Sequence, residues 1–272
     1  MSEWEDPRRV LGRHGLAPKK AFSQNFLVSR HVVEAIVRAL GIAEGERVIE
    51  LGPGLGTLTG ELLRAGAQVV AIEKDREMIE VLRAELGASE RLEVIEGDAA
   101  SVDLAALAKG ERVALAGNLP YAITGGIVRN LCEHAGHLSR AAIMVQKEVK
   151  DRLIAQPDTS EYGTLTVFVQ ARFDVRTIVK VPAGAFHPPP KVESAVVMLV
   201  PRAVPRAEET DAFRTVVRGA FQARRKTLKN ALAQAVGGER AVAALEAAGI
   251  DGRRRGETLS IEELARVASA LE

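Results

Sequence analysis

A single cysteine, Cys132, stands in 272 residues, so no internal disulfide can form. With no partner motif beside it, the thiol is expected to pack as a small apolar group rather than serve as a nucleophile. No apolar run approaches the roughly 20 residues that a membrane-spanning helix needs. The start Met1-Ser2-Glu3-Trp4-Glu5-Asp6 lacks the basic-then-apolar order of a signal peptide. A cytoplasmic protein with no membrane partner is expected. His134 and His137 have no second ligand cluster near them in sequence, so they read as a surface helix end and no metal is expected. Net charge is almost absent, at +1, which argues against a chain that grips polyanions over its whole surface. Local patches therefore matter more than the sum. Repeats and low-complexity tracts are also lacking.

The apolar share, 47%, is ample for one large domain and a small one. Residues 1–25 carry Arg8, Arg9, Arg13, His14, Lys19 and Lys20 among Gly12, Gly15 and Pro18, and read as a basic, partly extended arm. Val32, Val33, Ile36, Val37 and Leu40 then recur at helical spacing behind Ser29 as a cap, and Gly41 stops that helix. From Arg47 short apolar runs alternate with helical stretches. The runs are Val48-Ile49-Glu50-Leu51, Gln68 to Ile72, Leu92 to Ile95, Val113 to Ala116 and Ala141 to Val145. Strand, helix, strand at this spacing implies an α/β domain with a mostly parallel sheet covered on both faces. Thr164 to Val169 is rich in β-branched residues but is read as a helix. Val175 to Val181 and Ser194 to Val200 read as a closing pair of strands.

Pro201 and Pro205 bracket a change in composition, and a small all-α domain is expected over 204–272 after a catalytic domain over 26–203. Its last helix opens at Ser260 with Glu263 in capping-box position. Acids are missing from Phe213 to Asn230, a stretch that holds Arg214, Arg218, Arg224, Arg225, Lys226 and Lys229. Such one-signed density fits a phosphate-backbone contact better than a merely solvated helix face, and the run toward Lys229 complements a helix C-terminus.

Two loops carry the chemistry. Glu50-Leu51-Gly52-Pro53-Gly54-Leu55-Gly56-Thr57 follows the first strand of the alternating region and precedes a helix, where glycines let a ligand approach the backbone. A dinucleotide fingerprint would need glycine where Thr57 stands, which weighs against a dehydrogenase. Asn118-Leu119-Pro120-Tyr121 follows another strand and supplies an amide acceptor, a rigid carbonyl and a stacking ring within four residues, a set suited to a flat heterocycle bearing an exocyclic amine. Glu73 at the end of the second strand can accept from ribose hydroxyls, and Asp98 at the end of the third from an adenine amine. Each of these, alone, is also an ordinary turn or strand-end residue. Gly52, Glu73, Asp98 and Asn118 nevertheless fall at the ends of four successive strands, which in an open parallel sheet converge on one crevice.

The spacing G-x-G-x-G resembles the nucleoside-binding loop of methyltransferases that use S-adenosylmethionine, and Asn-Leu-Pro-Tyr resembles the motif of those that modify exocyclic amines. With Gln24-Asn25-Phe26-Leu27, the stretch Phe186 to Ser194 and the stretch Phe221 to Asn230, nearly the whole chain resembles the ribosomal RNA adenine dimethyltransferases of the KsgA type. That resemblance implies a Rossmann-like methyltransferase sheet, S-adenosylmethionine as cofactor, and dimethylation at N6 of two adjacent adenosines in the 3′-terminal hairpin loop of small-subunit ribosomal RNA, in service of subunit biogenesis. It implies cofactor contacts from Asn25, Leu27, Gly52, Gly54, Glu73, Asp98 and Asn118. Asn118 and the Pro120 carbonyl would take the N6 hydrogens, and Tyr121 with Phe186 would sandwich the base. Arg224, Arg225, Lys226, Lys229 and the N-terminal arm would hold RNA phosphates. The partner would be the small subunit or its precursor, met by a monomer. Two other readings share these features: a DNA adenine methyltransferase, and an assembly factor that keeps the fold without the reaction.

Overall fold

A computed structural model describes residues 4–19 and 24–272. The chain divides into two compact units: residues up to Lys150 with Asp174–Pro201, and Asp151–Phe173 with Arg202–Glu272.

In the first unit, α1 (Pro7–His14), β1 (Phe26–Leu27) and α2 (Arg30–Leu40) lead into β2 (Arg47–Leu51), α3 (Thr57–Arg64), β3 (Gln68–Glu73), α4 (Arg76–Leu86) and β4 (Leu92–Glu96). Then come α5 (Leu104–Ala108), β5 (Val113–Asn118), α6 (Thr124–Glu133), β6 (Leu138–Gln146) and the start of α7 (Lys147–Leu153). After α8 (Thr164–Arg172), the chain returns through β7 (Phe173–Val181), β8 (Phe186–His187) and β9 (Ser194–Pro201). The seven-stranded sheet has the order β4-β3-β2-β5-β6-β9-β7. Strands β4 through β6 are parallel, and β9 runs antiparallel beside β6. The order reverses between β2 and β5, which opens a crevice at their carboxyl ends.

Burial explains the local choices. In α2, Val32, Val33, Ile36 and Leu40 fall on one face and are buried, at about 1.5 to 3 kcal/mol for each large side chain. Gly41 closes the helix at φ +57°, its amide bonded to Val37 O, while the Ser29 side chain makes no capping bond. The central strands are apolar on both faces because helices cover both: Val48, Ile49 and Leu51 of β2 and Ala114, Leu115 and Ala116 of β5 are all fully buried.

The structure departs from expectation in three places. The N-terminal stretch is not an extended arm: Pro7–His14 is helical, with Asp6 accepting from Arg8 N at one end and Gly15 at φ +64° at the other. Val10 and Leu11 give the reason, since both are buried with Phe26, Leu55, Met78 and Val81. Lys20 lies outside the described residues. Secondly, the domain boundary expected near 203 misses an excursion, because Asp151–Phe173 belongs to the helical unit. The β-branched stretch in α8 is helical, as read, but Val167 and Ala171 pack with Phe213, Val216 and Leu232. Gln170 Nε2 also donates to Leu153 O and Ala155 O at 2.9 Å each. Thirdly, the basic run is not one helix. In the second unit α9 (Asp211–Gln222) stops before Arg224, and α10 (Leu228–Val236) begins after Thr227, followed by α11 (Gly238–Ala247) and α12 (Ile261–Ser269). The chain turns there because Leu228 is drawn into the core and the first amides of α10 are met by another loop, Leu228 N by Arg254 O and Lys229 N by Gly252 O. Lys229 thus stands near a helix N-terminus, where the dipole opposes rather than favours it. The Ser260–Glu263 capping box of α12 is formed.

Candidate active site

A cavity of about 250 Å³ opens at the carboxyl ends of β2, β3 and β5. Its walls are Gln24–Leu27, the glycine loop after β2, Glu73 with Lys74, and Asn118–Ile123.

Each wall follows from its backbone. Gly52 and Gly54 adopt φ of +67° and +54°, a region other residues rarely enter, and a Cβ at Gly54 would come within 3.1 Å of the Phe26 ring. A Cβ at Gly52 would face Asn118 O and Pro120 Cδ. The glycines thus leave room where a ligand must pass. Glu73 is fixed by amides: Oε2 accepts from Gly54 N, and Oε1 from Lys74 N and Asp75 N. Burial nevertheless raises its carboxyl above the ordinary value. Asn118 Nδ2 donates to Asn25 O at 3.0 Å, which turns the amide oxygen away from that bond and leaves it as an acceptor. Tyr121 opens a single 3-10 turn, Tyr121–Ile123, and its hydroxyl meets Ser194 Oγ at 2.7 Å. Burial pushes the phenol up, so it stays neutral.

Glu50 is a site residue to which sequence reasoning attached no role. It is 1% exposed, it lines the cavity, and among the described residues its Oε2 has no hydrogen-bond partner. Burial pushes its carboxyl up to about 8. The signal was an acid inside the apolar run of β2. Gln24 and Lys74 also line the cavity without having been singled out for the site.

Other expected site residues lie differently. Phe186 is 3% exposed, pairs with Leu27 across β1 and β8, and packs in the core with Val33, Val181 and Met198. Tyr121 lines the cavity and Phe186 does not. Asp98 is outside the lining too; it accepts from Lys74 Nζ at 2.8 Å and from Ala100 N, and the Lys74 ammonium holds its carboxyl below the usual range. Pro120 lines the cavity, but its carbonyl already accepts from Ile123 N and Thr124 Oγ1, both at 3.2 Å. In the second unit Arg224, Arg225, Lys226 and Lys229 are all exposed, and Arg224 donates to Ser160 O and Tyr162 O. Three of the cations near the N-terminus are paired with acids: Arg8 with Asp6, Arg13 with Glu5 and Glu85, and Lys19 with Asp75 and Glu77.

The arrangement suits S-adenosylmethionine. Glu50 presents a buried carboxyl with an unpartnered Oε2 that would ionise beside a cation, amide-held Glu73 keeps lone pairs that hydroxyls could meet, and the glycine cradle has no Cβ in the way. A parallel sheet with this loop and an antiparallel strand beside β6 defines an S-adenosylmethionine-dependent methyltransferase. The model of the ribosomal RNA adenine dimethylase family matches residues 15–272. A ribosomal RNA small subunit methyltransferase A of Myxococcus xanthus is 46% identical over 98% of this chain and 95% of its own. A protein of the same name from Anaeromyxobacter dehalogenans is 44% identical over 98% of each chain. Among solved structures, a dimethyladenosine transferase from Plasmodium falciparum superposes with a TM-score of 0.76 at 26% identity, over 89% of this chain and 95% of that one. The 23S rRNA methyltransferase ErmE superposes with a TM-score of 0.67 at 30% identity, over 91% and 99%. The chain belongs to the ribosomal RNA adenine dimethylase family and is a methyltransferase of ribosomal RNA adenines that uses S-adenosylmethionine.

Proposed function

We propose that this enzyme dimethylates N6 of two adjacent adenosines in the 3′-terminal hairpin loop of small-subunit ribosomal RNA, acting in the cytoplasm as a monomer on the small subunit or its precursor. Relatives named for the small subunit reach 46% identity, against 30% for the structural neighbour named for 23S rRNA, and this difference favours the small subunit. The observation that carries the site reading is the amide oxygen of Asn118 at the cavity, left as an acceptor among the described residues because Nδ2 donates to Asn25 O.

When bound, S-adenosylmethionine supplies an electrophilic methyl group on a sulfonium. Glu73 accepts from its ribose hydroxyls, Asn25 and Leu27 close over it, and Gly52 and Gly54 leave it space. Glu50 would lose its proton to water as the sulfonium arrives and then set a carboxylate against that charge. Asp98 receives the adenine amine once Lys74 gives way. The target N6 lone pair is delocalised into the purine ring, so the protein must pull the nitrogen toward a pyramidal geometry. Asn118 Oδ1 accepts one N6 hydrogen. Pro120 O is occupied, so the second acceptor is the preceding carbonyl, Leu119 O, which accepts no backbone bond among the described residues. Tyr121 stacks on the base, contributing about 1 to 3 kcal/mol. No strong base is needed, because the product proton is lost to water. Arg225, Lys226 and Lys229 hold phosphates, positioning the RNA without reading its sequence.

The test is transfer of labelled methyl groups to small subunits lacking the modification, with large-subunit RNA and duplex DNA alongside, followed by nucleoside analysis. Dimethyladenosine in the small-subunit RNA alone is expected. Label in the large-subunit RNA or in DNA would refute this substrate, and tight subunit binding without label would leave an assembly role in its place.

A further inference from the structure

The N-terminal wall of the cavity has little local structure of its own: β1 is two residues long and pairs with a β8 of equal length. A buried carboxylate across the cavity ties it down. Asp75 is 3% exposed and opens α4, where Oδ1 accepts from Glu77 N at 3.1 Å. The same carboxylate accepts from Lys19 Nζ at 2.9 Å and from Gln24 Nε2 at 2.8 Å. Lys19 N donates in turn to Gln24 Oε1 at 2.8 Å. Helix capping needs one acceptor, which Ser or Asn provides as well as Asp. The second oxygen is bound instead by Gln24 of the wall, and the charge, which also suits the helix dipole, meets Lys19. A carboxylate this buried is costly unless its lone pairs are met, and here three donors meet them.

We propose that Asp75, Lys19 and Gln24 form a latch that holds the N-terminal wall of the cofactor cavity in its binding position, making Asp75 and Lys19 positioning residues for S-adenosylmethionine. The backbone of Asp75 also donates to Glu73 Oε1, so one residue sets both the wall and the carboxylate opposite it. Lys19 completes the latch with Glu77 Oε2 at 2.9 Å, and the bond to Asp75 is the first cause that holds its ammonium above the ordinary value. Its charge is thus directed inward, not toward RNA. The inference rests on the reading of Asn25 and Leu27 as cofactor contacts.

Titration of the full chain with S-adenosylmethionine, and separately with ribosomal RNA, tests it in Lys19→Met, Asp75→Asn and the double variant. Lys19→Met keeps the aliphatic stem and leaves the α4 cap intact; Asp75→Asn keeps a capping oxygen. Each single variant is expected to weaken cofactor binding roughly tenfold, with the double variant little weaker than either, because both remove one shared interaction. RNA affinity and kcat at saturating cofactor stay within about twofold, a split that a general loss of stability would not give. Unchanged cofactor affinity in Lys19→Met overturns the latch, and a loss confined to RNA binding returns Lys19 to phosphate contact. Gly54→Val, which fills the cavity directly, separates the two levels: if it leaves cofactor affinity intact, the cavity reading fails and not the latch alone.

Discussion

The cavity in the first unit and the basic turn in the second treat charge in opposite ways. Glu50 is an acid withdrawn from water, protonated at neutral pH and with an Oε2 unpartnered among the described residues, whereas Arg225 and Lys226 stand exposed between α9 and α10, with Lys229 exposed in the first turn of α10. The first arrangement costs stability, a cost that a bound cation would relieve; the second costs almost nothing, and any phosphate contact it makes would weaken with salt. A third stretch calibrates both. Cations also cluster near the N-terminus, yet acids pair with Arg8, Arg13 and Lys19 there. Cations clustered along a chain are therefore available to a polyanion only where the fold supplies no counter-charge.

The largest expected effect is at Glu50. A folded carboxyl near 8 against an ordinary value of 4.5 means that the folded state holds a proton which the unfolded chain has lost, so stability falls as pH rises from about 4.5 to 8. Glu50→Gln removes that slope and should stabilise the ligand-free protein at pH 8 by on the order of 4 kcal/mol, while weakening cofactor binding. Denaturant titrations at pH 5 and pH 8 check this; equal slopes in both proteins would mean that Glu50 is not the buried acid described. Next in size is Arg225→Ala with Lys226→Ala, expected to raise the Kd for RNA by roughly 30- to 100-fold and to lower the salt slope by about two, with stability unchanged. Arg224→Ala should act through the loop it holds, with a shift of a few degrees in Tm and only a fewfold loss of RNA affinity. Smallest of all is Arg8→Ala with Arg13→Ala, which should leave the RNA salt slope unaltered; a slope lowered by two would erase the contrast between the stretches.

Much of this was legible in the sequence because it is local. Alternating runs marked the strands, and Gly52, Glu73 and Asn118 met at one cavity because strand ends in a parallel sheet must. What escaped depends on contacts between distant residues. Asp151–Phe173 joins the helical unit through packing on Phe213 and Val216, which no local pattern records. The direction of the Pro120 carbonyl is set by the turn that follows, and the burial of Phe186 by its pairing with Leu27, since an aromatic beside prolines looks the same in sequence whether it lines a site or fills a core. Arg224 differs from Arg225 only in having carbonyls within reach. Glu50 was in view within the glycine loop, yet its meaning came from burial.

The central claim is that Asn118 serves the transfer step through its amide oxygen. Single-turnover methyl transfer by Asn118→Ala, measured beside the Kd for S-adenosylmethionine, tests it most directly. The rate should fall by about a hundredfold or more, while cofactor affinity, which loses the bond to Asn25 O, should change less than about fivefold. Equal losses in rate and affinity would contradict the account and make Asn118 a cofactor contact alone.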